Sequence, residues 1–265
     1  MRIMNLASGS TGNSTYIGTE DTHILIDAGI SRKRILEGLN GADIDFSDID
    51  AILLTHEHID HISALGVIER TRQIPVYATS GTISAILDYG YLGNFDRSVF
   101  HVIRPDQNYR IKDLTFRPLS IWHDAKEPVG YRLSSNGSSI GVITDLGDYD
   151  DYLTGNLHGL DALLLEANHD VRMLEAGPYP YPLKRRILSR LGHLSNERCG
   201  QLLSEVLHDD MKEIMLGHLS RENNTRDLAK LSVETEIQMA DNDYKIGDFD
   251  IRIARHEIAS EILEV

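Results

Sequence analysis

The sequence predicts an α/β protein of four layers, with helices packed outside two stacked sheets. Three observations predict it. Short apolar runs of strand length alternate with stretches of helical periodicity along the 265 residues. Those runs fall into two broadly similar halves, each closing near loops rich in His, Asp or Glu. Four of the runs release such a side chain directly at their end, where open α/β architectures build their sites.

Short β-type runs fill residues 2–26, among them Thr15-Tyr16-Ile17 and His23-Ile24-Leu25-Ile26, which leads into Asp27-Ala28-Gly29. Residues 31–39 have helical spacing. Ala51-Ile52-Leu53-Leu54 is too short for a helix and apolar enough for a buried strand. A helix over 63–72, a strand over 75–78 and a helix from about 81 to 88 follow. Strands return at 99–103, 114–120, 129–135 and 138–144, the last two joined by the turn signal Asn136-Gly137. Helices are expected at 184–191, 195–207 and 225–239, with a strand at 213–216 between the last two and a final strand at 249–254. No low-complexity tract, long linker or solenoid repeat interrupts this order, so one domain over 1–265 is expected, without an inserted second one.

Composition narrows the class. Hydrophobic content of 41% and charged content of 25% are those of a globular protein with a substantial core. No apolar run approaches the ~20 residues that span a bilayer, and Met1-Arg2-Ile3-Met4-Asn5 lacks a signal-peptide core. A cytoplasmic protein without membrane contact is the expectation. The single cysteine, Cys199, excludes an intrachain disulfide and a Cys-based zinc site. A net charge of −15 argues against a generic nucleic-acid binder, because phosphate backbones are held mainly by Lys and Arg. One dense basic cluster stands out against it. Lys184, Arg185, Arg186 and Arg190 lie within 183–190 with no acid among them, and His193 follows. The cluster is either a solvated helix face or a phosphate-binding patch beside the site; its place just before His193 favours the patch.

The chemistry concentrates in Thr55-His56-Glu57-His58-Ile59-Asp60-His61. Imidazole and carboxylate are ligands for zinc and other divalent transition metals, and four of them within six residues can surround an ion only where the backbone turns sharply. The motif therefore belongs on a loop after the strand at 51–54. Three further apolar runs end in metal-competent side chains: 140–144 in Asp145, 163–165 in Glu166 and 214–217 in His218. The stretch Ser8-Gly9-Ser10-Thr11-Gly12-Asn13-Ser14 reads either as a flexible turn or as a loop offering N–H groups to an anion, with Ser10 and Asn13 as candidate substrate contacts.

Taken together, these residues resemble the metallo-β-lactamase superfamily. The resemblance rests on Thr-His-x-His-x-Asp-His after a buried strand, on Asp27, on Asp145 in Ile-Thr-Asp-Leu-Gly and on His218 in Leu-Gly-His-Leu-Ser, in an order that covers essentially the whole chain. His123-Asp124-Ala125-Lys126-Glu127-Pro128 and Gly192-His193-Leu194-Ser195-Asn196 are similar to motifs of its RNase Z-like branch. With the Ser8–Asn13 stretch and Glu166-Ala167-Asn168-His169-Asp170, the whole chain resembles the WalJ/YycJ exonuclease group. What the resemblance implies is a four-layer α/β/β/α sandwich, a dinuclear metal site and exonuclease action on DNA, single-stranded or duplex, from a free 5′ end. It implies that His56, His58 and His123 hold one divalent ion, that Asp60, His61 and His218 hold the second, and that Asp145 bridges them. The ions would be Zn²⁺ or Mn²⁺, with Fe²⁺ also compatible with such ligands.

In such a site Asp60 would orient the nucleophile as well as ligate. His193 would protonate the leaving oxygen or contact phosphate, near the start of a helix capped by Ser195, and Glu166 would orient His193. His169 is at most an outer residue of the site, and His23, His101, His158, His208 and His256 are expected on the surface or in packing. The competing reading is a thioester or lactone hydrolase of glyoxalase II type, which needs the same metals but no basic patch. An antibiotic-hydrolysing lactamase would favour Cys where Asp145 stands. A di-iron reductase would favour Glu where His58 stands. A metal-bound regulatory module without turnover fits a complete ligand set poorly.

Overall fold

Strand side chains alternate between two faces, and in this protein the two faces feed different apolar layers. In the computed structural model, which describes residues 1–90 and 92–265, the first half of the chain forms β1 (Arg2–Ala7), β2 (Ser14–Gly18), β3 (His23–Ile26), β4 (Ala51–Leu53), β5 (Val76–Thr79) and β6 (Phe100–Ile103). The second half forms β7 (Tyr109–Ile111), β8 (Leu114–Ser120), β9 (Val129–Ser135), β10 (Ser138–Ile143), β11 (Ala162–Glu166), β12 (Glu213–Gly217) and β13 (Ile251–Ile253). The last strand, β14 (Leu263–Glu264), returns to pair with β1. One sheet therefore runs β14-β1-β2-β3-β4-β5-β6 and the other β13-β12-β11-β10-β9-β8-β7.

Between the sheets lie Ile17, Ile24, Ile26 and Leu53 from the first, against Phe116, Tyr131, Leu133, Ile140, Val142, Leu164 and Met215 from the second. The alternate residues Tyr16, Leu25 and Ile52 face outward, and α1 (Arg32–Asn40), α3 (Leu65–Thr71) and α4 (Ser80–Tyr89) cover them through Ile35, Leu39, Leu65, Ile68 and Ile86; the short α2 (Ile59–Ile62) precedes α3. On the other side Leu163, Leu165, Ile214 and Leu216 are covered by α5 (Asp151–Leu157), α8 (Asn196–Val206) and α9 (Arg226–Met239). Two further helices, α6 (Val171–Ala176) and α7 (Tyr181–Ile187), sit in the loop between β11 and α8. The expected four layers are present, and the strand and helix order follows the sequence reading closely.

The differences have local causes. The helix expected over 63–72 is α3, and the separate turn α2 before it was not expected; Ala64 N donates to Ala28 O, which keeps the two apart. The metal-ligand motif thus ends in a helical turn rather than in open loop. The helix expected at 184–191 runs instead over Tyr181–Ile187: Pro182 suits a first turn, and Gly192 folds back against the last carbonyls, where a Cβ would collide with Arg186 O and Ile187 O. The helices α5 and α6 and the strands β7 and β14 were not expected. Both helices are short and begin at Asp caps, Asp150 accepting from Leu153 N and Asp170 from Met173 N.

One buried acid predicts a pH dependence. Glu69 on α3 is 3% exposed; its Oε2 accepts from Ile74 N at 3.1 Å, and its Oε1 has no partner among the described residues. Burial pushes its pKa from 4.5 up to about 7. The folded chain then binds this proton more tightly than the unfolded one, so the stability that this group contributes is full below pH 4.5 and is lost as pH rises through 7. Glu69→Gln should match the parent in acid and gain on it up to about 3 kcal/mol above pH 7. Urea melts across that range read the difference. A constant gap at every pH would assign it to packing.

Candidate metal centre

Parallel pairing places strand ends side by side. β3 and β4 are parallel, as are β10, β11 and β12, so their carboxyl ends share an edge. The two edges are tied together by Tyr131 Oη donating to Leu54 O at 2.6 Å and Val129 N donating to Thr55 O at 2.9 Å. Past these ends come Asp27, the His56–His61 motif, Asp145 and His218, while Glu166 is the last residue of β11. Asp27, Asp145 and His218 all adopt left-handed backbone, with φ of 62°, 55° and 55°. Such a conformation costs a non-glycine residue about 1–2 kcal/mol, and here it turns Asp145 and His218 into one cavity and sets Asp27 behind His61.

The side chains expected to ligate metal are brought together. Donor atoms of His56, His58 and His123 all lie within 4.8 Å of one another, and so do those of Asp60, His61 and His218. Asp145 stands between the groups: its Oδ2 is 2.8 Å from His61 Nε2, and its Oδ1 is 3.4 Å from His218 Nδ1 and 3.7 Å from His123 Nε2. Four imidazoles are oriented from behind through Nδ1. Thr55 Oγ1 lies 3.0 Å from that atom of His56, Asp27 Oδ2 is 2.7 Å from that of His61, and Glu166 Oε1 is 2.7 Å from that of His218. His123 Nδ1 meets Gly192 O at 3.0 Å; a carbonyl only accepts, so Nδ1 carries the proton and Nε2 keeps a lone pair. The buried Nε2 atoms of His56 and His218 have no hydrogen-bond partner among the described residues. Leaving such atoms unmatched costs about 1–3 kcal/mol each, and a cation accepting their lone pairs removes the deficit. The donor set therefore fits divalent metal.

Charge supports the same conclusion. Burial, followed by the neighbouring imidazole of His61, holds the pKa of His56 well below its ordinary value, and burial also lowers that of His123. Burial opposes a charged His61, but the carboxylates of Asp145 and Asp27 outweigh it and raise its pKa. Burial likewise opposes an ionised Asp145, yet His218 and His61 hold its pKa well below the usual carboxylate range.

The other expected residues divide. His193 Nδ1 lies 2.9 Å from Glu166 Oε1, the oxygen that also faces His218, and Ser195 caps α8 by accepting from Arg198 N. Glu166 is fully buried and also accepts from Leu146 N and Leu194 N at 2.6 and 3.2 Å. Ser10 lines the cavity, whereas Asn13 sits behind it, with Nδ2 3.0 Å from His61 Nε2. Its amide is buried and closes its own loop, accepting from Gly9 N and donating to Gly9 O, while Asn13 N donates to Asp60 O. The anticipated anion cradle is thus largely a fastened loop that braces the motif. The basic cluster is divided too. Arg186 lines the cavity and forks onto Asp124, whereas Lys184 donates to Glu175 O, Arg185 lies over Tyr181 and Arg190 covers Trp122. His169 is buried beside Asn168, with its pKa lowered to about 4 by burial, and α6 begins after it at the Asp170 cap.

Several contributors carry little sequence signal. Asp27 accepts from Thr55 N and Thr55 Oγ1, both at 2.8 Å, besides orienting His61. Ser8 Oγ accepts from His218 N at 2.7 Å, and Asn168 Nδ2 donates to His218 O at 2.8 Å. Asn224 Nδ2 reaches Ala167 O and Asn168 O, bracing the loop after β11.

Residues 22–219 match the family described as the Beta-lactamase superfamily domain. The chain is 40% identical over 247 residues to Exodeoxyribonuclease WalJ of Streptococcus pneumoniae serotype 2, covering 92% of each chain. It is 39% identical over 233 residues to Exodeoxyribonuclease YycJ of Bacillus anthracis, covering 88% of each. Among solved structures, its fold is similar to that of the metallo-β-lactamase fold protein YhfI of Bacillus subtilis, with a TM-score of 0.72 at 18% identity over 98% of each chain. Zn²⁺-bound PqqB of Methylobacterium extorquens has a TM-score of 0.72 at 17% identity over 100% of each chain.

Proposed function

The chain belongs to the metallo-β-lactamase superfamily, and from that membership we propose a metal-dependent exonuclease that removes nucleotides from the 5′ end of DNA. The observation that carries the reading is the pair of donor groups sharing Asp145, in a chain with exodeoxyribonuclease relatives across most of its length. His56, His58 and His123 would hold one divalent ion and Asp60, His61 and His218 a second, with the Asp145 carboxylate lying between the two groups. Zn²⁺ and Mn²⁺ suit these ligands best, and Fe²⁺ is compatible. When bound, such ions lower the pKa of a water and neutralise charge on the phosphoryl oxygens.

The protein's own groups do the rest. Asp60, at the edge of the cavity, orients the attacking oxygen. Glu166 holds His193 through Nδ1, which turns His193 Nε2 toward the cavity as the proton source for the leaving oxygen. Arg186 and Ser10 offer donors to a phosphate at the mouth. One domain over 1–265 performs all of this, in the cytoplasm where a bacterial exonuclease meets DNA. Among the described residues no helix is long and apolar enough to cross a membrane.

Incubation with Mn²⁺ or Zn²⁺ and 5′-labelled single-stranded and duplex DNA, beside a thioester, separates this reading from a glyoxalase II-type hydrolase. Release of the label as a mononucleotide before the body shortens is expected. Thioester turnover without DNA cleavage would overturn it. A second expectation concerns the cluster. Arg186→Ala should raise KM for DNA and cut the log–log salt slope by about 0.7 for a single strand, the contribution of one phosphate contact. Lys184→Ala, Arg185→Ala and Arg190→Ala should each change that slope far less, because their side chains are directed to Glu175 O, Tyr181 and Trp122. Equal slopes for all four variants would return phosphate binding to the whole cluster.

A further inference from the structure

The cavity over the metal ligands has a volume of about 250 Å³ and two unlike walls. Its floor is ionic: His58, Asp60, Asp145, His193 and His218. One side is apolar, formed by Tyr179, Leu183 and Ile187. Leu183 and Ile187 are four apart on α7 and share a face, and Tyr179 precedes them by the same interval. None of the three belongs to the apolar layers on either side of the two sheets. Apolar residues at helical spacing normally face a core. Here they face a cavity whose chemistry is otherwise that of phosphate and metal. A phosphodiester alone gives such a wall nothing to bind.

We propose that this wall is a nucleobase subsite, with the terminal base of a single DNA strand stacked on Tyr179 and flanked by Leu183 and Ile187. The proposal rests on the exonuclease reading above and names the part of the substrate that the ionic floor leaves unbound. Three features favour this occupant. A planar, apolar-faced ring joined to an anion matches an apolar wall beside Arg186 and the ligand floor. The Tyr179 ring is half-buried and has no aromatic or cationic partner among the described residues, so a face remains for stacking. A cavity of about 250 Å³ is small beside a base pair, which favours a single unpaired end as its occupant. Stacking is tolerant of base identity, which suits an enzyme that digests any sequence.

The test compares single-stranded oligonucleotides that differ at the 5′-terminal residue, one with its base and one abasic, on the metal-loaded protein. The parent should cleave the intact end at least about tenfold more efficiently in kcat/KM. Tyr179→Ala should cleave both ends alike, and Tyr179→Phe, which keeps the ring, should restore the difference. Tyr181→Ala, on an exposed residue outside the cavity, should leave the difference in place. A 5′-terminal 2-aminopurine should be quenched on binding to the parent and to Tyr179→Phe but not to Tyr179→Ala, which reads stacking without turnover. Undiminished discrimination or quenching in Tyr179→Ala overturns the subsite. Equal cleavage of both ends by the parent overturns it as well, while leaving the exonuclease reading intact. Failure of the parent to cleave either oligonucleotide removes both.

Discussion

Asp145→Ala should strip the chain of bound metal and abolish turnover while leaving the two sheets folded. Asp145 is the one carboxylate that faces imidazoles of both donor groups among the described residues, with His61, His218 and His123 at 2.8, 3.4 and 3.7 Å. Removing it leaves three buried imidazoles with less negative charge to balance a cation. Residues behind a ligand typically cost 10–100-fold in affinity or activity, so a shared ligand should exceed about 100-fold. The fold should survive, because Asp145 sits past the end of β10 and outside the apolar layers. Its φ of 55° makes alanine a strained replacement, so Asp145→Asn is the cleaner variant: asparagine accepts left-handed backbone and keeps the shape without the charge. Elemental analysis, kcat and circular dichroism check the prediction together. A folded Asp145→Asn protein with a full metal complement and the parent's rate would remove Asp145 from the centre.

Much of this centre was legible because its information is local. The motif from Thr55 to His61 lies within seven residues, and the apolar runs before Asp145, Glu166 and His218 have the length and continuous apolar character of buried strands. Parallel pairing then brings those ends together without further instruction. What stayed hidden depends on contacts between distant segments. Asp27 is part of the family pattern in sequence, but its bonds to Thr55 and His61 are not. Asn168 and Asn224 are ordinary loop amides in sequence, yet they fasten the chain around His218. A row of bases shows that a segment is cationic but not where each side chain points, which is why Arg186 alone of the four lines the cavity. The apolar stripe of Tyr179, Leu183 and Ile187 was likewise invisible, since the helix expected there began later and spacing alone does not distinguish a core from a cavity.

His193→Ala should retain its metals and lose about 10²–10⁴ in rate, the usual cost of a missing general acid. The geometry allows this separation. His193 is held by its own backbone, with N donating to Ile187 O, and by Glu166 through Nδ1. Losing the imidazole leaves Glu166 Oε1 still paired with His218 Nδ1 at 2.7 Å, so a proposed ligand keeps its orientation. The cavity-facing Nε2 is what disappears. If it supplies a proton, a substrate with a good leaving group should recover part of the loss, because less protonation is needed. If it only contacts phosphate, both substrates should slow alike. The alternative is a direct ligand role, since donor atoms of Asp145, Glu166, His193 and His218 also lie within 4.8 Å of one another. Loss of one metal equivalent from His193→Ala would establish that role and displace one of the seven proposed ligands. Glu166→Gln provides the contrast. The same Glu166 oxygen faces both His193 and His218, so this change should impair rate and metal retention together, whereas His193→Ala should impair rate alone.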